Sequence, residues 1–561
     1  MRQGMLPFCF SGPATPRDTK GVVYTKPWAV EWLLDLAGYT PDRNLADAIA
    51  VEPAAGEGAF LIPMARRLVA SCRKRGRPLT DCAASLLAYE LDETRVGTMR
   101  QAVVADLRGI HVGEAVAEAL AAGWVTGGDY LLDVARLPRA DYVLGNPPYI
   151  RLEEIPEGLA DLYRTTYRTM NGRADVYVAF FEAALRQLKP GGVCAYICAD
   201  RWMLNQYGAG LRSLVTGGFG VEVVVEMHDS DAFDAAVSAY PAITVIRRGP
   251  QGRAVVASVG RAATETGGGP LASSLLAVAR GEPRPLLAGV KSAVVDQWFA
   301  GSDPWPCSSP ARLALLRRLE ERFAPLESEG SGTKVGIGVA TGLDEVFITD
   351  DPGLVEGSRL LPLAMSRDTV TGRLEWSGHY LVNPWADEGL VDLDDFPRLR
   401  AYFEGRAAAI RKRNVARKNP GRWYRTIDRV SPGLAVREKL YIPDIKETFH
   451  PVLDRGETYP HHNLYFLVSE LWDLEVLGGL LLSGIGQLFI EAYGLRMRGG
   501  YLRFQAQYLR RIRVPRPDSL PTARAAQLVD AFRRRDVEAA TGVALEIYGV
   551  AASELEDSLG R

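Results

Sequence analysis

Short apolar runs alternate with longer amphipathic stretches between residues 21 and 250 of the chain. The apolar runs predict β-strands at 48–53, 85–92, 140–146, 193–199 and 242–248. Helical periodicity predicts helices at 59–75 and 174–192, the second ended by Lys-Pro-Gly-Gly, and a further helix after the second strand. Strands that alternate with helices predict an α/β domain with a mainly parallel sheet.

The pattern changes after residue 250. Residues 251–305 lose the alternation, and TETGGGP at 264–270 is typical of a flexible linker. From residue 306 onward the chain is richer in Trp, Tyr, Arg and Pro, lacks regular βαβ spacing, and ends in a helical segment from about 520. We therefore predict a first domain at 1–250, an irregular connection at 251–305, and a mixed α+β domain at 306–561 on which the last helical segment packs.

The longest apolar stretch, residues 476–490, predicts a buried helix rather than a membrane span. It is shorter than a bilayer requires, contains Ser and Gln, and is flanked by Glu475 and Glu491. The N-terminal MLPFCF is too short an apolar block for a signal peptide. The six cysteines form no C-x-x-C pair and no His cluster completes a metal site, so we expect a reducing, cytoplasmic setting and no metal.

Charge is concentrated locally in a chain whose formal net charge is only −2. Residues 405–425 contain eight Arg or Lys and no acid, interleaved with Trp423 and Tyr424. A solvated helix face is the alternative, but the local charge favours phosphate contact. The candidate nucleic-acid contacts are Arg411, Lys412, Arg413, Arg417, Lys418 and Arg422. Residues 493–517 repeat this pattern more weakly, and HHN at 461–463 is interpreted as structural or DNA-facing.

A glycine-rich turn, VEPAAGEGAFL at 51–61, follows a predicted strand and opens a helix. Gly56 and Gly58 permit positive φ and a close approach of the backbone to a ligand, and a helix N-terminus offers amide donors. The turn lacks the complete G-x-G-x-x-G and G-K-[ST] patterns, so neither NAD nor ATP is favoured. An ordinary tight βα loop is the alternative interpretation.

Polar residues follow the next strands at the same edge of the predicted sheet. Glu90 ends the second strand, where an acid can accept both hydroxyls of a ribose, although an ordinary strand-end acid is the alternative. Asp129 is placed to accept from an adenine amino group and Tyr130 to pack on the ring. Proline cannot extend a β-ladder, so the DYVLG strand ends at Asn146 of an Asn-Pro-Pro-Tyr turn. Ligands of parallel sheets bind at this carboxyl edge.

In this order, the motifs resemble the amino-group DNA methyltransferases, specifically the gamma-class, TaqI-like N6-adenine enzymes of restriction–modification systems. Residues 21–37 resemble the family's N-terminal motif, 51–61 its S-adenosylmethionine (SAM) loop, with Glu52 and Ala55 replacing the commoner Asp and Cys, and 146–149 its catalytic motif. The resemblance implies a SAM-dependent methyltransferase (Rossmann-like) domain, followed by a mixed α+β target-recognition domain that contains the similar segments 334–348 and 437–451.

The resemblance also implies a role for individual residues. The implied SAM-binding residues are Tyr24, Thr25, Glu52, Pro53, Ala54, Gly56, Gly58, Phe60, Glu90, Leu91, Asp129, Tyr130 and Asn146. The implied catalytic residues are Asn146, Pro147, Pro148 and Tyr149, with Phe233 as a second aromatic wall and Tyr240 as its alternative; a core role is the other interpretation of Phe233.

The expected chemistry follows from the weakness of adenine N6 as a nucleophile, because its lone pair is delocalised into the ring. The Asn146 side-chain oxygen and the Pro147 carbonyl accept its two N–H bonds, Pro148 stiffens the turn, and Tyr149 stacks on a base flipped out of the duplex. We expect a monomeric modification enzyme of double-stranded DNA, with any cognate endonuclease encoded separately. The alternatives are methylation of RNA or protein glutamine by the same motif, and a DNA-binding subunit of a larger defence complex.

Overall fold

A computed structural model of the 561-residue chain describes residues 25–172, 174–227, 230, 232–233, 241–260, 269–279, 282, 289–306, 310–496 and 501–559. The chain divides into two compact units, Met1–Ser309 and Pro310–Arg561. Each unit contains its own buried apolar clusters, so each is described by itself.

The first unit is organised around a large twisted sheet. Its strands are β1 (Ala50–Glu52), β2 (Leu86–Glu90), β3 (Val125–Gly127), β4 (Ala140–Gly145), β5 (Leu188–Ala199), β6 (Phe219–Glu226), β7 (Pro241–Arg248), β8 (Arg253–Val259) and β9 (Val290–Asp296). Their order is β3-β2-β1-β4-β5-β7-β6-β8-β9. Strands β1 to β5 pair in parallel, and β7 is antiparallel to both of its neighbours. The α/β prediction is confirmed.

Helices cover both faces of this sheet, because alternate strand residues enter two different buried clusters. In β1, Ala50 belongs to one cluster and Val51 to the other. The helices of the first unit are α1 (Pro27–Leu36), α2 (Leu61–Lys74), α3 (Glu93–Gly109), α4 (Glu114–Trp124), α5 (Tyr130–Asp133), α6 (Glu157–Thr166), α7 (Tyr177–Gln187), α8 (Arg201–Leu204), α9 (Ala209–Thr216) and α10 (Gly269–Ala279).

Two boundaries differ from the sequence prediction. Residues 251–305 are not an irregular connection where the structure describes them, because β8 pairs with β6 and β9 pairs with β8 at the sheet edge. The stretch 264–270 that suggested a linker lies between β8 and α10 along the chain, and Gly269 and Pro270 begin α10; its other residues lie outside the described residues. The helix predicted to end at 192 ends at Gln187, and Lys-Pro-Gly-Gly lies in the first part of β5, where the pairing with β4 is irregular.

The second unit is a mixed α+β structure with several small sheets. Its strands are β10 (Ala324–Pro325), β11 (Thr333–Ile337), β12 (Ile348–Thr349), β13 (Leu360–Ala364), β14 (Tyr380–Val382), β15 (Lys439–Pro443), β16 (Ile445–Lys446), β17 (Val452–Asp454), β18 (Tyr459–Pro460), β19 (Leu464–Ser469), β20 (Leu495–Arg496), β21 (Leu502–Arg503) and β22 (Arg513–Val514). The two larger sheets have the orders β11-β19-β15-β17 and β12-β14-β13-β18.

Helices surround these sheets and complete the core of the second unit. They are α11 (Pro310–Arg322), α12 (Asp344–Phe347), α13 (Pro397–Glu404), α14 (Ala407–Lys412), α15 (Asn414–Lys418), α16 (Leu474–Leu482), α17 (Gly484–Tyr493), α18 (Ala506–Leu509), α19 (Thr522–Arg534), α20 (Val537–Tyr548) and α21 (Ala552–Leu559). Leu528 and Phe532 of α19 share a buried cluster with Leu477 of α16. The prediction that the C-terminal helices pack on the second domain is therefore confirmed.

The apolar stretch 476–490 forms parts of two helices rather than one. Ser483 separates α16 from α17 and caps α17, and the helix axes bend by 65° at this break. Within the described residues, no single helix is long and apolar enough to cross a membrane, and this bent pair meets the criterion only by length and composition. Nearly all residues of both helices are buried inside the second unit.

Candidate active site and nucleic-acid surface

The glycine turn between β1 and α2 is closed by the acid at the end of β2. Gly56 has φ +56° and Gly58 has φ +88°, so both occupy backbone conformations that disfavour other residues. The Gly56 amide donates to Oε2 of Glu90 at 2.9 Å, and the Asp92 amide donates to Oε1 at 2.9 Å. The predicted strand-end acid therefore lies against the predicted ligand loop, and each of its oxygens retains a further lone pair.

Glu52 gives this loop an unusual buried carboxyl group. Its side chain is 1% exposed, and its Oε2 atom has no hydrogen-bond partner. The backbone amides of Phe60 and Leu61 bond to the carboxyl group, but burial and the neighbouring Glu90 raise its pKa well above the ordinary value. A buried polar atom without a partner is costly, so this position suits a ligand that brings a donor.

Two side chains that were predicted to contact SAM differ in exposure: Phe60 is buried and Leu91 is exposed. Phe60 is 2% exposed and belongs to the apolar core, so its side chain anchors the start of α2 and does not face a ligand. The prediction is corrected for that side chain. Leu91, directly after Glu90, is 66% exposed, although apolar side chains of this size are usually buried. A flat ring placed beside Glu90 would cover it.

Asp129 caps the N-terminus of α5, and both of its carboxylate oxygens accept hydrogen bonds. Its Oδ1 accepts from the Leu131 amide at 2.9 Å, and its Oδ2 accepts from the Tyr163 hydroxyl at 2.5 Å. Burial raises the pKa of Asp129, while the Tyr163 bond opposes that rise. The sequence did not indicate Tyr163, because it lies on α6, a helix that was not predicted.

Tyr130 does not have the role that was predicted for it. Its hydroxyl donates to Oε1 of Gln187 at 2.7 Å, and its ring stacks on Phe180 with centroids 5.9 Å apart. The side chain is fully buried between the sheet and α7. Tyr130 is therefore a core residue, and Asp129 beside it is the residue of this pair that can face a ligand.

Asn146 lies directly after β4 and close to the glycine turn. A Cβ atom placed on Gly145 would be 3.6 Å from Cγ of Glu52, so the Asn-Pro-Pro-Tyr turn and the glycine turn approach each other closely at the sheet edge. The Asn146 Nδ2 atom donates to the Thr25 hydroxyl at 3.1 Å. This bond orients the side-chain amide. Thr25 was predicted to contact SAM, and its hydroxyl contacts Asn146, the residue that was predicted to be catalytic.

The two predicted aromatic walls also lie together. The rings of Tyr149 and Phe233 meet edge to face, with centroids 6.2 Å apart and planes inclined by 75°. Phe233 forms an isolated β-bridge with Thr25, and the Tyr149 hydroxyl donates to the Ile197 carbonyl at 3.3 Å. Phe233 is 6% exposed, so a base between the rings requires them to separate. The predicted residues Tyr24 and Tyr240 lie outside the described residues.

The basic segment of the second unit forms α14, α15 and the turn after them. Five of its six predicted DNA contacts have exposed side chains: Arg411, Lys412, Arg417, Lys418 and Arg422. The Arg411 guanidinium lies over the Trp423 ring, 4.4 Å from its centroid. This stacking borders a surface cavity of about 360 Å³, whose lining also includes Tyr424 and the acids Asp392, Asp394 and Glu404. Exposed cations beside aromatic rings suit contact with nucleic acid.

Arg413 is the exception, and its predicted DNA contact is corrected. Its guanidinium donates to the carbonyl oxygens of Thr341 at 2.7 Å, Arg425 at 2.7 Å and Trp423 at 3.1 Å. It also lies over the Phe347 ring, and burial lowers its pKa to about 10. Arg413 ties the basic segment to the body of the second unit.

We expect Arg413→Lys to destabilise the second unit without changing the salt dependence of DNA binding. A lysine cannot reproduce the planar set of donors, and the loss of two carbonyl bonds costs about 2 kcal/mol, or roughly 4–8 °C in melting temperature. Thermal unfolding measures this, with the exposed Arg411→Lys as the matched control. Equal melting temperatures for the two variants would contradict the assignment.

Three potential metal ligands lie together in the second unit. Donor atoms of Asp344, His461 and His462 are within 4.8 Å of one another. His461 Nε2 lies 3.3 Å from Oδ2 of Asp344, and the Thr341 hydroxyl donates to Oδ1. Both Asp344 oxygens therefore have partners within the protein, His461 and Thr341. We interpret the cluster as a structural contact. The absence of a metal site stays a prediction.

Comparisons with known proteins agree on one family. The model of the Eco57I restriction-modification methylase family matches residues 138–233. The chain is 44% identical over 545 residues to the Type II methyltransferase M.PaeR7I of Pseudomonas aeruginosa, covering 96% of this chain and 93% of that protein. It is 44% identical over 549 residues to M.XhoI of Xanthomonas vasicola, covering 96% and 98%. It is 39% identical over 548 residues to M.BstVI of Geobacillus stearothermophilus, covering 96% and 97%.

A solved structure shares the fold across nearly the whole chain. The Type IIL restriction-modification enzyme MmeI in complex with DNA matches with a TM-score of 0.56 and 11% identity, over 95% of this chain and 74% of that chain. At this identity the similarity is one of fold. It extends over both compact units and is not limited to the first.

Proposed function

Since the chain belongs to the Type II methyltransferases of restriction–modification systems and is therefore a DNA methyltransferase, we propose that it methylates N6 of adenine within a specific sequence of double-stranded DNA. The observation that carries the proposal is the position of Asn146, which directly follows β4 beside the glycine turn and the buried Glu52. We also propose the gamma-class arrangement, a monomer, and a separately encoded endonuclease.

The first unit has carboxylate acceptors that suit S-adenosylmethionine. The orphaned Oε2 of Glu52 suits the cationic amine of the methionine part, because a positive donor offsets the cost of burying that carboxyl group. Glu90 would accept from the ribose hydroxyls, Leu91 would cover one face of the adenine, and Asp129 would accept from its amino group. When bound, SAM supplies the methyl group.

The protein's part in the chemistry is to prepare the target nitrogen. The Asn146 side-chain oxygen and the Pro147 carbonyl would accept hydrogen bonds from the two N6–H groups, which favours a tetrahedral nitrogen with its lone pair directed outward. After methyl transfer, the nitrogen would release one proton to water. Thr25 supports this role, because its hydroxyl receives the amide N–H and orients the amide group. Pro147 and Pro148 restrict the turn, so the acceptors are fixed before the base arrives. No covalent bond to the protein is needed.

The target base must leave the duplex to reach Asn146. We propose that Tyr149 and Phe233, now in edge-to-face contact, separate and stack on the flipped base. The flipped base would stack on both rings, and this stacking would offset the free energy lost when the two rings separate. The exposed cations of the basic segment would hold the DNA backbone, because phosphate contacts supply most of the affinity.

Single-molecule modification sequencing tests the proposal. We expect DNA from cells that express the chain to carry N6-methyladenine at one short motif, and DNA from cells that express Asn146→Ala to lack it. The host should have no adenine methylation of its own. A mark on cytosine at that motif would contradict the adenine assignment. No DNA mark from a protein that binds SAM would favour an RNA or protein substrate, or a required partner.

A further inference from the structure

Tyr163 links the helix after the catalytic turn to the acid that we assign to the cofactor adenine. Helix α6 begins eight residues after Tyr149 along the chain. Its Tyr163 side chain is 4% exposed and donates its hydroxyl proton to Oδ2 of Asp129 at 2.5 Å. The Leu131 amide holds the other oxygen at 2.9 Å. Both oxygens of Asp129 are thereby fixed in position.

A fixed carboxylate can distinguish two purine edges. An ionised Asp129 only accepts hydrogen bonds, so it would attract a 6-amino group and repel a 6-oxo group. A carboxyl group that takes up a proton can donate to the 6-oxo group instead. Burial favours the protonated form of Asp129, and the hydrogen bond from Tyr163 favours the ionised form.

We propose that Tyr163 is a positioning residue that makes the cofactor site select a 6-amino purine, by holding Asp129 as an oriented acceptor. This inference rests on the proposed function, because it requires Asp129 to face the adenine of SAM. It assigns a role in cofactor binding to a helix that the sequence motifs did not include. Tyr163 itself would touch Asp129 rather than the cofactor.

Among the described contacts of Asp129, Tyr163 is the one side chain that donates a hydrogen bond to it. Two other ionisable groups lie nearby. Asp133 on α5 adds a like charge, which raises the pKa of Asp129 further. Tyr167, directly after α6, also senses the Asp129 charge, but its hydroxyl donates to the Leu131 carbonyl. Tyr167 is therefore a matched control, because it is a buried tyrosine of the same segment with a different acceptor.

The experiment compares two analogues on the full-length protein. Isothermal titration calorimetry gives the Kd of S-adenosylhomocysteine and of S-inosylhomocysteine, which carries a 6-oxo group. We expect the wild type to prefer the amino compound by about 10-fold or more, since one hydrogen bond contributes about 1–1.5 kcal/mol. Tyr163→Phe keeps the ring, and we expect its preference to fall below about 3-fold. Tyr167→Phe should keep the wild-type preference.

Two further measurements distinguish a role of Tyr163 in positioning Asp129 from a role in folding. Tyr163→Phe should raise KM for SAM about 10-fold with little change in kcat at saturating SAM. As pH falls, its affinity for S-adenosylhomocysteine should be lost at a higher pH than in the wild type, because Asp129 without its donor protonates more readily.

Each outcome decides the inference. An unchanged preference in Tyr163→Phe would overturn it, and so would an equal loss in both variants, which would indicate general damage to α6. A wild type that binds both analogues equally would overturn the adenine contact of Asp129 while leaving DNA methylation intact. A wild type that binds neither analogue would overturn the proposed cofactor site itself.

Discussion

Asn146→Ala is expected to lower kcat for methyl transfer by about 10²–10³-fold, the effect of removing one preorganised group that stabilises the transition state. The side-chain oxygen is lost, so N6 keeps its planar, delocalised form and remains a poor nucleophile. The fold should persist, because Asn146 lies at the end of β4 and is only partly buried. A tritiated-methyl transfer assay on duplex DNA measures the loss.

The matched control for this variant is Asn44→Ala, which removes an exposed amide of the same unit that bonds to Asp47. It should retain full activity. Asn146→Asp should fall between the wild type and Asn146→Ala, because it keeps an acceptor oxygen but loses the donor to Thr25. S-adenosylhomocysteine should bind Asn146→Ala within about threefold of the wild type, as expected when only the transition state is affected. Full activity in Asn146→Ala would reject the proposed mechanism.

The strand-end rule predicted the centre of the site from the sequence. Glycine turns and acids that follow parallel strands must meet at one edge of a sheet. Gly56 and Glu90 do meet there through a hydrogen bond, although 34 residues separate them. The position of Asn146 follows from the same rule, because Pro147 and Pro148 fix where β4 ends.

The rule did not predict which way each side chain points. Phe60 and Tyr130 lie within the correct motifs, yet both side chains are in the core. A motif match identifies a position, but the face of that position depends on packing against distant elements such as α7. Tyr163 was missed for the same reason, because its bond to Asp129 spans 34 residues and joins two short helices.

Arg413 shows a signal that the sequence did contain. Ile410 and Ala416 lie three residues on either side of it, and both are buried. Arg413 itself joins α14 to α15 in extended backbone, so its position follows from the buried apolar residue in each flanking helix and not from a single helical period. A count of charges cannot distinguish Arg413 from the exposed cations. The edge strands β8 and β9 were not predicted from the sequence, because the glycine-rich stretch 264–270 between them resembles a linker.

Replacing three exposed cations of the basic segment by acids should weaken DNA binding by more than about 100-fold at physiological salt. The proposed variant combines Arg411→Glu, Lys412→Glu and Arg417→Glu. Each phosphate contact that is lost lowers the slope of log Kd against log salt by about 0.9, so three lost contacts lower it by roughly 2.7. Fluorescence anisotropy with a labelled duplex at several salt concentrations gives both quantities.

The control for this variant must carry the same change in net charge. Arg317, Arg373 and Arg398 are exposed cations of the second unit outside both 405–425 and 493–517, and their triple replacement by Glu provides that control. Equal losses in the two variants would mean that overall charge, rather than a local surface, governs binding. An unchanged salt slope in the first variant would remove the segment from the interface. If the slope falls while the Kd of S-adenosylhomocysteine stays constant, DNA binding depends on the second unit and cofactor binding does not.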